Sequence, residues 1–258
     1  MSILADHDAF LSIKQESRVL YIKNWERFKS FSTDFNDQEG KPSEEMILKW
    51  IKHLRIEEKS ASSSIWTKCS MLNGIIKAKY GFDLKGYSRV TAQIKAFDIN
   101  IKKKAAIFSK DDLDSIIGDV NISTPYWIVR KAVAICCYFG GLRKSEAETL
   151  ELEKITSGPS GITITHSRSK QRSDIQETKF LIPRRQTGIC YASVFEEYLH
   201  SVKEILGQRT GRVWMTGRSG AFVKTPIGKN ILGKIPHEIA EYLKLESPKN
   251  YTFHSFRR

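Results

Sequence analysis

Arg143, Lys170, His254 and Arg257 have the types and settings to act together on a phosphate group. Arg143 follows Gly140-Gly141-Leu142 and precedes Lys144-Ser145-Glu146, so its guanidinium is held where one helix ends and another begins. A planar fork of five donors at such a junction suits bidentate phosphate binding, although an arginine near a helix end is by default simply solvated. Glu146, three residues on, is a helix-face carboxylate that could hold Arg143 or a neighbouring histidine in place. Lys170 lies in a polar tip with Arg168 and Arg172; such a tip is commonly only solvated, yet a lysine on a short hairpin can reach a leaving oxygen and protonate it. His254 and Arg257 stand three apart in YTFHSFRR, residues 251–258, and share a face if Thr252 or its neighbourhood caps a helix. Arg258 beside them is auxiliary. The sequence has no GxGxxG, P-loop, HExxH or paired Cys-x-x-Cys, which argues against nucleotide, dinucleotide and zinc chemistry.

The elements that must position these groups follow from periodicity. Phe10, Ile13, Val19, Tyr21, Ile22, Trp25, Phe28 and Phe31 recur at mostly helical intervals. Ser43-Glu44-Glu45-Met46 reads as a capping box opening a helix through Trp50 and Leu54, and a further helix runs from Ser62-Ser63-Ser64 to Gly81. Residues 1–100 thus form a small all-helical domain. Residues 101–107, with Lys102, Lys103 and Lys104, form a basic linker, which is either a solvated run or a strap against a phosphate backbone. Ser109 caps the next helix, and Thr124-Pro125 starts a long one that stops at Gly140-Gly141. Between Gly161 and Pro183 the period changes to two β-runs, the one clear hairpin. Helices resume at about 190–206, and Thr225-Pro226 is expected to start the last one. The fold class is therefore mainly α with a small β-sheet, a small helical domain preceding a larger one over 108–258.

Composition narrows the partners. The chain has 258 residues, 40% hydrophobic and 28% charged, with 42 Lys+Arg against 29 Asp+Glu and a net charge of +13, which favours a polyanion. Residues 1–100 carry 16 basic and 13 acidic residues and residues 101–258 carry 26 and 16, so the second part is the stronger anion binder. Cys69, Cys136, Cys137 and Cys190 lack metal-ligand spacing and read as buried thiols in a reducing compartment. No apolar run reaches membrane-spanning length, so no membrane partner is expected and the protein is read as intracellular, nuclear in a eukaryote or at the nucleoid otherwise.

In order, GLRKSE at 141–146, a hairpin lysine at Lys170 and HSFRR at 254–258 resemble the tyrosine recombinase family, the phage-integrase class of DNA strand-exchange enzymes. The N-terminal part looks like that family's core-binding domain through Tyr21-Trp25-Phe28 and the Ser62-Ser63-Ser64 helix start, so the resemblance spans essentially the whole chain. It implies a SAM-like helical core-binding domain and a mixed α/β catalytic domain, closing on double-stranded DNA as a C-shaped clamp. It also implies roles: Arg143 and Arg257 clamp the scissile phosphate with His254, Lys170 protonates the departing 5′ oxygen, and Glu146 takes the acidic support position. Lys102, Lys103, Lys104, Arg168, Arg172 and Arg258 are expected on DNA phosphates. The arginines take the place of metal cations, so neither metal nor small-molecule cofactor is implied. Family members work as homo-tetramers on paired sites, and the HSFRR form is similar to recombinases of mobile elements.

One departure bears on the chemistry. In the family a tyrosine beyond the second arginine box attacks phosphorus to give a 3′-phosphotyrosyl link, and no tyrosine follows His254 here. Tyr251 is expected to be a core or phosphate-flanking aromatic. The catalytic domain is therefore expected to be incomplete at its C-terminus, with marginal stability and an exposed patch near Phe253 and Phe256. The alternatives are a catalytically inactive DNA-binding module derived from such an enzyme, and a basic helical protein that binds RNA or another protein.

Overall fold

The computed structural model describes residues 13, 15–36, 40–96, 105–169, 175–207, 210–218 and 220–257. The chain divides into two compact units, Met1–Lys102 and Lys103–Arg258.

The described part of the first unit is helical: α1 (Gln15–Phe31), α2 (Glu44–Ile56), α3 (Ser62–Tyr80) and α4 (Ser88–Ala96). Ser43 caps α2 by accepting from the Met46 N–H at 3.2 Å. The expected capping box is not completed, because Met46 at its third position has no carboxylate or amide acceptor, and Glu44 instead accepts from the backbone N–H groups of Arg89 and Val90, tying α2 to α4. Gly81, at φ +64°, closes α3 in the left-handed conformation that glycine adopts without strain. The core is aromatic, with Phe28 edge-on to Trp50 at 5.4 Å and Trp25 stacked on Phe28 at 5.8 Å. Only part of the α1 stripe enters it. Val19 is 73% exposed, because six residues of helix separate it from Trp25 and turn it to the other side.

The second unit holds α5 (Lys110–Gly118), α6 (Pro125–Gly140), α7 (Lys144–Glu148), α8 (Tyr191–Leu206) and α9 (Lys229–Tyr242). An antiparallel sheet of β1 (Ile155–Gly158), β2 (Gly161–Ser169) and β3 (Ile175–Pro183) runs in the order β1-β2-β3. Ser109 and Asp112 cap α5 reciprocally, and Pro125 opens α6 after Thr124, as the spacing predicts. Val129, Ala132, Val133, Ala134, Ile135, Cys136 and Cys137 are fully buried on α6. Such a continuous apolar run places α6 at the centre of the unit's core, against α8, β3 and the second sheet.

Two expectations change here. A second hairpin, β4 (Met215–Gly217) with β5 (Phe222–Pro226), occupies the place assigned to a helix start at Thr225-Pro226. Pro226 sits opposite Met215 at the end of this edge ladder, where its missing N–H costs nothing, and α9 begins only after Gly228. Cys190 is half-buried at the start of α8, where hydrogen bonds from Ser193 and backbone N–H groups outweigh burial and pull its thiol below the ordinary range. Among the described residues, no helix is long and apolar enough to cross a membrane.

Candidate phosphate-binding site

The first element of the site is the break between α6 and α7. Gly141, at φ +53°, ends α6 with its N–H on the Cys137 carbonyl at 2.9 Å, and buried Leu142 anchors the turn. A side chain at Gly140 would meet the Phe180 ring of β3 at 2.6 Å, so glycine there lets the β2–β3 hairpin lie against the junction. Arg143 then serves as N-cap of α7. Its backbone N–H donates to Glu146 Oε2 and its Nη1 to Glu146 Oε1, both at 2.7 Å. The Trp214 indole N–H donates to the Ala147 carbonyl at 2.6 Å, fixing the end of this short helix to the core.

Exposure divides the pair by role: the Arg143 side chain is 42% exposed and the Glu146 side chain 8%. Among the described residues no other hydrogen bond reaches the Arg143 guanidinium, so Nε and Nη2 keep their donors for an anion. Burial works against ionisation of Glu146, but the two bonds from Arg143, its charge and that of His166 prevail and hold the carboxyl below its ordinary range. A depressed carboxylate value stabilises the fold above the unfolded value and loses that contribution as pH falls through the folded one. The Glu146 carbon signal in an NMR titration is therefore expected to stay that of a carboxylate through pH 5 and to have its midpoint below the ordinary value of about 4.3. A midpoint at or above that value would show that Arg143 does not hold it.

The second element is the segment after α9. Thr252 caps a single 3-10 turn, Phe253–Phe256, accepting from the His254 N–H at 3.3 Å while its own N–H donates to Ser255 Oγ at 2.8 Å. The turn ends before Arg257, which leaves on extended backbone with its N–H on the His254 carbonyl at 3.0 Å. His254 and Arg257 are thus neighbours across one tight turn, where the spacing alone predicts a shared helix face. His254 is exposed and Arg257 half-buried.

The expected exposed patch at Phe253 and Phe256 is absent. Phe253 is 5% and Phe256 1% exposed, because Phe108 stacks on Phe256 at 5.2 Å and packs on Tyr251 at 4.7 Å. Backbone bonds from Ala106 N to Asn250 O and from Phe108 N to Ser255 O, each 3.1 Å, clip the start of the unit to this segment. Tyr251 is half-buried there, and burial, with Asp112 and Glu246 adding, pushes its phenol up and keeps it protonated.

Helix α9 packs against both α7 and the 253–256 turn, so one helix braces the two arginine segments. Arg168 lies on β2 opposite Gln176. Its side chain is outside the described residues, as are Lys170, Arg172, Lys102, Lys103, Lys104 and Arg258. A histidine that the sequence reading did not single out, His166, is buried at 5% exposure on β2. Its signal was present: Ile162, Ile164 and His166 alternate along one strand face, and all three are buried. Among the described residues, no group of three or more His, Cys, Asp or Glu side chains is placed to hold a metal ion.

No protein-family model matches the sequence, and no curated protein is similar to it at the sequence level. Solved structures are similar in fold. The crystal structure of a lambda integrase dimer bound to a COC′ core site superposes with a TM-score of 0.57 at 14% identity, over 97% of this chain and 84% of that one. That of the XerH site-specific recombinase in a post-cleavage complex with palindromic difH gives 0.57 at 16%, over 89% and 63%. A lambda integrase tetramer on a Holliday junction gives 0.50 at 16%, over 95% and 63%. The fold is that of the tyrosine recombinases. The mixed architecture of the resemblance, mainly helical with small antiparallel sheets, is therefore present.

Proposed function

We propose that the protein binds double-stranded DNA and grips a backbone phosphate as a tyrosine recombinase does. Arg143, Arg257 and His254 supply the donors in this reading, and Lys170 is the general acid. The observation that carries it is the Arg143 guanidinium, clamped by Glu146 through one nitrogen with the rest of its fork uncommitted, on a helix that shares its brace with the His254–Arg257 turn. Phosphoryl transfer spreads charge over non-bridging oxygens, and guanidinium groups fixed in advance stabilise it without reorganising. The net charge of +13 supplies the long-range attraction.

Completing the reaction requires a tyrosine oxygen to attack phosphorus as the 5′ oxygen leaves with a proton from Lys170. Tyr251, packed on Phe108 with its phenol held protonated, is not suited to that attack. The proposal therefore covers DNA binding and the phosphate grip, and assigns the attacking tyrosine to no residue described here. The alternative, a module that binds DNA without cutting it, is favoured by the same placement of Tyr251.

Fluorescence anisotropy with duplex DNA across a salt series tests binding. The affinity is expected to fall linearly on logarithmic axes, with a slope of roughly 0.9 per phosphate neutralised. Tighter binding to structured RNA than to duplex DNA, or no salt-dependent binding, would overturn the reading.

A further inference from the structure

Helix α9 keeps a glycine inside its first half, Gly233, where any residue but proline would favour the helix more. The space around it gives the reason. A β-carbon at Gly233 would stand 3.3 Å from both Cδ and Nζ of Lys144, tighter than such contacts ordinarily are, and 3.9 Å from Cε. The lysine that follows Arg143 therefore lies along α9, in a furrow that exists because residue 233 has no side chain. Helices α7 and α9 pack on one another, and this is one of the places where they meet.

A lysine stem laid along a surface ordinarily ends on a carboxylate or in open water. Lys144 is half-buried, and among the described residues no hydrogen bond, ion pair or ring contact takes its ammonium. Glu148 stands four residues on along α7, at the spacing where helical ion pairs form, and the two do not pair. Glu146 is engaged by Arg143 through both of its oxygens. What remains is an ammonium with its three donors uncommitted, next in the chain to a guanidinium that also has donors to spare. We infer that Lys144 holds a second phosphate of the DNA strand that Arg143 grips, and that Gly233 is the seat that orders it for this contact. A lysine free in solvent must give up the rotation of its whole stem on binding, and one already laid along α9 has less to lose. The inference rests on the reading of Arg143 as a phosphate clamp. It gives α9 a second part in the site, since the helix that braces the two arginine segments also aims a cation.

A double-mutant cycle on the full chain, titrated with duplex DNA across a salt series, tests it. Lys144→Ala is expected to weaken affinity roughly tenfold and to lower the salt slope by about 0.9, one phosphate contact. Gly233→Ala removes no charge, so the slope should stay unchanged while affinity weakens roughly two- to tenfold, the cost of ordering one freed lysine. The same change should raise the melting temperature of the second unit by roughly 2–4 °C, because alanine suits a helix and the end of a lysine moves aside easily. A chain that is more stable yet binds less tightly has not lost its grip through damage. In the Lys144→Ala background Gly233→Ala should weaken binding no further. A loss that persists there, or the parent's affinity in either single variant, overturns the inference. If the cycle behaves as expected while Arg143→Ala binds like the parent, the clamp reading fails and the Lys144 contact stands; a chain that binds no duplex DNA overturns both.

Discussion

Arg143→Lys is expected to leave the fold intact and to weaken duplex DNA binding roughly tenfold, the scale of one lost charge-assisted bond. Lysine keeps the charge and can pair with Glu146, but an ammonium has no planar fork with which to grip carboxylate and phosphate at once. The slope of affinity against salt should therefore stay unchanged. Arg143→Ala removes the charge as well, so that slope should fall by about 0.9, one phosphate contact. The alanine chain should also lose on the order of 1–3 kcal/mol, because it removes the Nη1 donor and the positive charge from the buried Glu146 carboxylate, the bond from the residue 143 backbone N–H remaining. Anisotropy titrations and thermal melts of the two variants separate these effects. If Arg143→Ala binds DNA with the parent's affinity and salt slope, Arg143 does not touch phosphate.

The other large effect falls on stability. Phe108→Ala should destabilise the second unit by about 3–5 kcal/mol, the usual range for emptying a buried phenylalanine site. Unfolding free energies are only about 5–15 kcal/mol, so the loss is a large share of the whole. Phe108 is 2% exposed and touches both Tyr251 and Phe256, so its removal undercuts the turn that carries His254. Calorimetry should show the second unit's transition falling while that of the first unit holds, since the Trp25, Phe28 and Trp50 cluster of the first unit has no share in this contact. A Phe108→Ala chain that melts like the parent would mean that the stack contributes little.

What could be read in the sequence was whatever neighbouring residues decide. Ser43, Ser109, Thr124-Pro125 and Gly141 mark helix ends because capping and left-handed backbone are settled within a turn of chain. The Arg143–Glu146 pair was legible for the same reason, lying within one turn. The burial of Phe253 and Phe256 was not, because it depends on Phe108 at the other end of the unit. Thr225-Pro226 misled because a proline after threonine serves equally at a helix start and at the end of an edge strand. The burial of His166 went unread, although it continues the alternation of Ile162 and Ile164 along β2.

The clip between residues 106–108 and 250–255 also sets an order of assembly. Nearly the whole second unit must be made before its opening segment meets its partner, and such distant contacts form late because the loop between them must close first. On the ribosome the first unit can fold while the second is still being synthesised. The turn bearing His254 and Arg257 can dock on Phe108 only after all the chain between them has been made, so a nascent chain acquires its charge before it acquires its grip.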